Sequence, residues 1–415
     1  MRFWFRTLSL ILLTVLAGCS GDSKVDTEQR VKQMLAQDWA AIEAQARGQS
    51  VTWGMWQGDP FINDYVAEYV VPEVKQRYGI ELKVVSSQGN EIVSMLMTEL
   101  EAGKQARAYD MVWINGETFY QLRQIDALLG PFAAKLPNAQ YIDLENPFIR
   151  YDFQQDTAGY ESPWGNVQLA LIYDSSRVQE PPRTMDELEA WVREHPGRFT
   201  FDNFFTGMTF LKSLLISIAG GPGSLDGAFD EQRYQQASTE LWRYLNRIKP
   251  YLWRKGATFP DEVTQLHQLF AAGEIDFTMS NNDGEVDNKV LQGLFNDNAR
   301  GYVFSSGTIQ NTHYIGIPRS SAQLAGAMVV ANFLISPEAQ FEKLKPAVWG
   351  DGTVLDVKRL PEPWRERFEN VPQRTHVPPR AELQPMALRE PASEYMVRIQ
   401  RDFRKYIIDG APLPQ

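Results

Sequence analysis

The chain has 415 residues, 43% of them hydrophobic and 22% charged, which is enough apolar surface for two or three domains and excludes a mainly disordered protein. Forty-one basic residues against 52 acidic ones leave a net charge of −11, and no basic footprint for nucleic acid is visible. One cysteine rules out an internal disulfide or a cysteine-built metal site, and no run of 18 apolar residues exists to span a bilayer.

The elements follow in chain order. Arg2 and Arg6 precede an uncharged run, Thr7 to Gly18, which ends Leu16-Ala17-Gly18-Cys19. A positive start, a short apolar centre and small residues before the cut describe a secretory signal over residues 1–18. Its ending resembles the lipobox of bacterial lipoproteins, which implies a lipid on the Cys19 sulfur and Cys19 as the first mature residue. Cleavage removes two arginines and takes the net charge to −13. Ser20 resembles the outer-membrane sorting pattern, so the expected location is the periplasmic side of the envelope, lipid-anchored, with the outer membrane slightly favoured.

Residues 19–50 read as a tether and one helix carrying Met34, Leu35, Trp39 and Ile42. Val51–Trp56 reads as a strand, Phe61–Tyr78 as a helix closed by Gly79, and Leu82–Val85 as a strand. Glu91–Ala102 reads as a helix stopped by Gly103, Tyr109–Ile114 as a strand and Glu117–Leu128 as a helix. Crossovers of that length imply a parallel sheet covered by helices.

A second α/β unit begins with a strand over Val167–Tyr173. The box Thr184-Met185-Asp186-Glu187 opens a helix to Glu194. A short strand at Phe199–Phe201, a buried helix over Gly207–Ala219, a helix over Asp261–Ala272 and a strand over Ile275–Met279 follow. Strands return at Tyr302–Phe304 and Tyr314–Ile317. Ala322–Ile335 is a helix, and Ser336-Pro337 starts another. Seven prolines give residues 360–391 the composition of a loop, and Pro391–Ile408 closes the chain as a helix.

Catalytic patterns are missing. No two of the four histidines lie at i, i+4, and no His-Glu-x-x-His occurs. Ser162 lacks the flanking glycines of a nucleophile elbow, and there is no phosphate-cradling loop. A hydrolase working with paired carboxylates is the remaining enzymatic alternative, and the many carboxylates make it unspecific.

Several segments coincide with one family in order. They are Tyr109-Asp110-Met111-Val112-Trp113-Ile114-Asn115-Gly116, Glu161-Ser162-Pro163-Trp164-Gly165, Pro181 to Leu188 and Ile317-Pro318-Arg319-Ser320 with the helices after it. Together they resemble the solute-binding proteins of ABC importers with the type 2 periplasmic-binding fold. Trp53 to Tyr65 and Trp349 to Leu355 are most similar to an uncharacterised branch, the Ynj-type transporter binding proteins. The resemblance implies an α/β fold of two lobes, each a parallel-dominated sheet covered by helices, with the ligand cleft between them. Lobe one is then 50–163 plus 306–415 with the C-terminal helices, and lobe two is 164–305. Crossings fall near Glu161–Val167 and Arg300–Thr312. The implied partners are a small-molecule ligand and the importer's permease and ATPase subunits. The expected chain is a monomer held to the membrane through Cys19, without enzymatic activity, cofactor or metal.

In open α/β sheets, ligands sit beyond the carboxyl ends of strands. That rule selects Trp56, Asp59 and Asn63 after the first strand, and Asn115 with Glu117 after the third. Glu161 and Trp164 fall at the first crossing. Asn203 and Phe204 follow a strand of lobe two, Asn281 and Asn282 follow Met279, and His313 precedes a returning strand. His313 reads equally well as a structural hydrogen-bonder, and Glu161 and Trp164 equally well as parts of a turn. Asp59, Glu117, Glu161, Asp283 and Glu285 face no lysine or arginine in the same segments, and Trp56, Trp164, Phe204 and Phe205 add aromatic faces. Carboxylates with aromatic faces suit an organic cation, thiamine-like or a polyamine. A sugar is the alternative ligand.

Overall fold

A computed structural model describes residues 20–102 and 108–413. The leader, Cys19 and the helix stop at Gly103 lie outside the described residues. Two helices precede the first strand, α1 (Ser20–Ala36) and α2 (Trp39–Ala46), where a tether and one helix are expected. The break falls at Asp38, whose carboxylate accepts the Ala41 amide at 2.8 Å and so starts a new helix.

The first alternation is β1 (Ser50–Met55), α3 (Pro60–Asp64), α4 (Val71–Tyr78), β2 (Glu81–Ser86), α5 (Gly89–Glu101), β3 (Met111–Ile114) and α6 (Gly116–Gln124). A π-helical turn over Tyr65–Val70 joins α3 to α4 just before Pro72, whose ring has no amide for the ordinary ladder. Gly79 ends α4 with φ of 69°, the left-handed conformation that glycine adopts without strain.

After α7 (Pro147–Arg150) and the small hairpin β4 (Tyr151–Asp152) and β5 (Gln155–Asp156) come β6 (Glu161–Gln168) and β7 (Ala170–Asp174). The single strand expected over Val167–Tyr173 is therefore two strands, divided at Leu169. The second unit holds α8 (Met185–Glu194), α9 (Phe205–Ile218), α10 (Glu231–Ile248), α11 (Val263–Ala271), β8 (Phe277–Ser280), α12 (Glu285–Leu291) and β9 (Ala299–Tyr302). Phe199–Phe201 is not a strand. Phe199 and Phe201 are buried, and the backbone is satisfied singly, Arg198 O by the Asp276 amide and Phe199 O by the Trp253 amide. The chain ends with β10 (Thr308–Gly316), α13 (Leu324–Leu334), α14 (Pro337–Leu344), α15 (Glu362–Glu369), α16 (Arg380–Leu383), β11 (Ala387–Arg389) and α17 (Ser393–Phe403). Residues 360–391 are thus partly regular. Pro361 and Pro379 stand at the N-caps of α15 and α16, where a missing amide costs nothing.

Six strands form one sheet in the order β11-β10-β3-β1-β2, with β6 on the other side of β10. The pairs β1–β2, β1–β3 and β10–β11 are parallel, and β10 runs antiparallel to β3 and β6. A second sheet, β8-β7-β9, is antiparallel throughout, unlike the parallel-dominated one expected there. Trp53, Trp164 and Met328 belong to one core of the larger sheet, and Val112, Phe119 and Tyr314 to the core on its other face. A third core surrounds the smaller sheet. Tyr395, Ile399, Phe403 and Ile407 belong to this third core, with Phe403 tilted against Phe201 and edge-on to Phe259. The C-terminal helix therefore packs into the core of the smaller sheet. The chain passes between sheets at Leu169, over residues 303–307, and again where β11 leads into α17.

Candidate functional site

The segment after β1 meets α12 through Asp59 and Lys289. Trp56 follows β1 with 41% of its surface exposed, and its ring lies over Gly58. A Cβ at Gly58 would stand 2.2 Å from that ring, so the close approach requires glycine. Asp59 Oδ1 accepts the Phe61 and Ile62 amides at 2.9 and 3.3 Å, which starts α3. Its Oδ2 accepts from Lys289 Nζ at 2.8 Å. Lys289 belongs to α12 and also lies 3.1 Å from Glu285 Oε1. Ser280 Oγ donates to the other oxygen of Glu285, and His267 Nε2 stands 3.5 Å from Oε1. Burial pushes the Glu285 carboxyl up, yet contact with His267 and Ser280 and the Lys289 charge hold it well below the usual range. Burial likewise opposes the Lys289 charge, and Glu285 and Asp59 outweigh it, raising its pKa. Two carboxylates here meet one ammonium, with His267 alongside.

The polar residues expected in the second unit lie between β8 and α12 and just before α9. Asn281 Nδ2 donates to Thr206 Oγ1 at 3.0 Å, and Asn282 Oδ1 accepts the Gly284 amide at 2.8 Å. Asn203 is fixed through its amide to Pro260 O at 2.9 Å. Phe204 is 53% exposed just before α9. Asn63 donates to Gln57 O at 3.1 Å, and its Oδ1 is buried without a partner among the described residues. Asn115 starts a chain across the crossings. Its Nδ2 donates to Asn311 Oδ1 at 3.2 Å, Asn311 to Glu390 Oε1 at 3.3 Å, and Lys212 Nζ to Glu390 Oε2 at 2.5 Å.

Four expected site residues lie elsewhere. Glu117 is an exposed carboxylate that accepts from Gln121 in its own helix, at 2.9 Å. Trp164 is fully buried, edge-on to Trp53 and Trp113 at 5.3 and 5.0 Å. It sits where the β6–β10 register shifts, at a bulge that turns its ring into the core. His313 stacks on Trp349 at 5.7 Å and contacts Asp351 Oδ2 at 3.1 Å, so it is a structural hydrogen-bonder. Glu161 is 1% exposed, and neither of its oxygens has a partner among the described residues. Burial, then the charge of Asp152, raises its pKa well above the ordinary value. The Pro-Gly composition around it suggests a turn, whereas pairing with β10 makes it a strand.

A separate cavity of about 600 Å³ lies behind the crossing strands, lined by Asn166, Gln168, Gln310, Asp283, Arg374 and Arg380. Strand alternation puts Gln310 and Thr312 on the face opposite Asn311. None of the twelve residues selected as ligand-binding lines it. Asp283 is bound there by Arg374, by Arg380 Nε at 3.1 Å and by the Gln168 amide at 3.2 Å. The expectation of acidic groups without basic neighbours is thus corrected. Lys289 follows Glu285 by four residues, the favourable helical spacing, and was legible. Arg374, Arg380, Lys212 and Glu390 come from distant segments and left no local signal.

Two sheets with their own cores, joined by three crossings, define a two-lobed periplasmic binding fold. A model of the bacterial extracellular solute-binding proteins matches residues 65–367, and the chain belongs to that family. It is 37% identical over 339 residues to the protein YnjB of Escherichia coli, covering 81% of this chain and 87% of that one. Among solved structures it is similar to the spermidine/putrescine ABC transporter substrate-binding protein PotD from Streptococcus pneumoniae. The TM-score is 0.58 at 16% identity, covering 86% of this chain and all of that one. It is also similar to the periplasmic binding protein AfuA from Actinobacillus pleuropneumoniae with exogenous fructose-6-phosphate bound. There the TM-score is 0.60 at 12% identity, covering 86% and 98%. Family and fold are those of the substrate-binding proteins of ABC importers, which take up a small ligand and deliver it to the permease.

Proposed function

We propose that this chain is a lipid-anchored, monomeric receptor on the periplasmic side that captures a small organic cation between its lobes without altering it. The anchor is Cys19, and lobe two includes the C-terminal helix. The cation reading rests on the cluster beside Trp56. Asp59 and Glu285 bring two carboxylates to a single ammonium, the exposed Trp56 lies on the same turn after β1 as Asp59, and Phe204 is a second exposed ring just before α9. A partly desolvated cation gains from both features. PotD, to which the fold is similar, is a spermidine/putrescine substrate-binding protein, and this supports the reading.

One observation favours a second reading, a neutral polyhydroxylated solute. Asp59, Asp283 and Glu285 already have internal cationic partners, while Asn115 and Asn281 offer amides at the strand ends. Calorimetry with thiamine, spermidine and putrescine against a panel of neutral sugars separates the two. The cation reading expects micromolar or tighter binding of a panel cation, roughly −8 kcal/mol, and no sugar binding. Sugar binding that persists in Asp59→Asn refutes it. Turnover of any bound solute by purified protein refutes the non-enzymatic part.

A further inference from the structure

The cavity behind the crossing strands has walls of unequal charge. Its volume of about 600 Å³ suits a small molecule, whose pockets run to roughly 300–1,000 Å³. Three carboxylates line it, Asp143, Asp283 and Asp356, with three cations, Arg374, Arg380 and Lys358. The balance is only apparent. Asp143 Oδ1 and Asp356 Oδ2 both bind Arg359, at 3.1 and 3.2 Å, and Arg359 is not part of the lining. Arg374 and Arg380 are left to share the carboxylate of Asp283. Asp287, which also acts on Arg374, accepts the Thr375 and His376 amides at 2.8 and 3.3 Å and stays out of the lining. Burial, opposed by Asp283 and assisted by the Arg380 charge, leaves the Arg374 pKa lowered.

We propose that this cavity binds a small oxyanion, a carboxylate or phosphate carried on a polar body. The proposal goes beyond the cation reading, which rests on other residues. Arg380 spends Nε on Asp283 and Nη2 on Gly350 O, at 3.1 and 2.6 Å, and its Nη1 has no partner among the described residues. Arg374 is held by Asp283 and by Pro378 O at 2.8 Å, so both guanidinium planes are fixed before a ligand arrives. Such fixed forks suit the paired oxygens of carboxylates and phosphates. The body of the ligand meets amides. The Gln310 and Gln384 carboxamides line the cavity and make no hydrogen bond among the described residues. The lining also comes from both lobes, since Val354 and Leu355 belong to the core of the larger sheet and Leu383, beside Gln384, to that of the smaller.

Calorimetry on the purified protein at low salt tests this, with citrate and glucose 6-phosphate as probes and glucose as the neutral control. Wild type should bind at least one of the two anions and not glucose, and which anion it prefers separates carboxylate from phosphate recognition. Arg380→Gln should weaken that binding by about 10–100-fold, the scale of a lost charge-assisted hydrogen bond. Gln310→Ala should weaken it less, in the same direction. Asp283→Asn keeps an oxygen for the Gln168 amide and removes the competing carboxylate, so it should bind the anion more tightly. It should also unfold at a lower temperature than wild type, and the anion should restore the midpoint by neutralising the two arginines. If neither anion binds wild type more tightly than glucose does, the inference fails. It fails equally if Arg380→Gln binds as wild type does, or if a folded Asp283→Asn binds more weakly. None of these outcomes depends on whether a cation binds beside Trp56.

Discussion

Trp56 and Trp164 show how far one residue type can diverge in role. Trp56 is half exposed at a strand exit, so Trp56→Ala should leave the unfolding midpoint near wild type. It should weaken cation binding by about 1–2 kcal/mol, the scale of a cation–π contact with some lost apolar area. Trp164 is enclosed by Trp53, Trp113, His313 and Trp349. Trp164→Ala should cost about 3–5 kcal/mol of stability in denaturant titrations. Equal stability losses in the two variants would contradict this division. Glu161 gives a pH prediction. Its folded pKa is raised well above that of an ordinary glutamate, by burial and then by the charge of Asp152, so the native state holds a proton that the unfolded chain releases. Stability therefore falls as pH rises from about 4.5 toward the folded value. Glu161→Gln removes that slope and should be more stable than wild type at pH 7. An unchanged slope between pH 5 and 7, read by urea unfolding, would show that Glu161 is not the source.

At the scale of elements, α8 was legible residue by residue, because Thr184 Oγ1 accepts the Glu187 amide at 3.2 Å and the cap is local. The strand β1 and the sequence α13–α14 were legible for similar reasons, through periodicity and the Ser336 cap. The 18-residue helix α10 went unread although Asp230 caps it and Tyr234, Leu241, Leu245 and Ile248 line one face. That signal was present in the sequence. β6 is different, since Pro163 and Gly165 argue locally for a turn, and only pairing with β10 overrides them. The destination of α17 was likewise unreadable, because an amphipathic face does not say which core it covers. Phe403 joins Phe201 and Phe259. Phe403→Ala should cost about 3–5 kcal/mol and loosen the second lobe first, seen as faster amide exchange in β7 and β8 than in β1.

For the whole molecule, the order of motifs was enough to reach the two-lobed family, while the charge balance of the cleft was not. The cationic partners of Asp283 lie 91 and 97 residues away, and pairing over such distances is a property of the fold alone. Binding of a verified ligand should compact the protein in scattering measurements, because contacts on both lobes favour the closed state. An unchanged radius of gyration with saturating ligand would exclude closure. The anchor is checked separately. Radiolabelled palmitate should enter wild-type protein in cells and not Cys19→Ser, and wild-type protein free in the periplasm would rule out lipidation.

The crossings lie side by side. β6 and β10 are hydrogen-bonded along seven residue pairs, and β11 joins β10 through three more. A ribbon of strands flexes out of its plane far more readily than it shears within it, because shear breaks the lateral bonds. The lobes are therefore expected to swing about one axis more readily than about the other two. Closing on a solute then removes freedom from a single angular coordinate, so the entropy lost is small and the geometry of the closed mouth is reproducible.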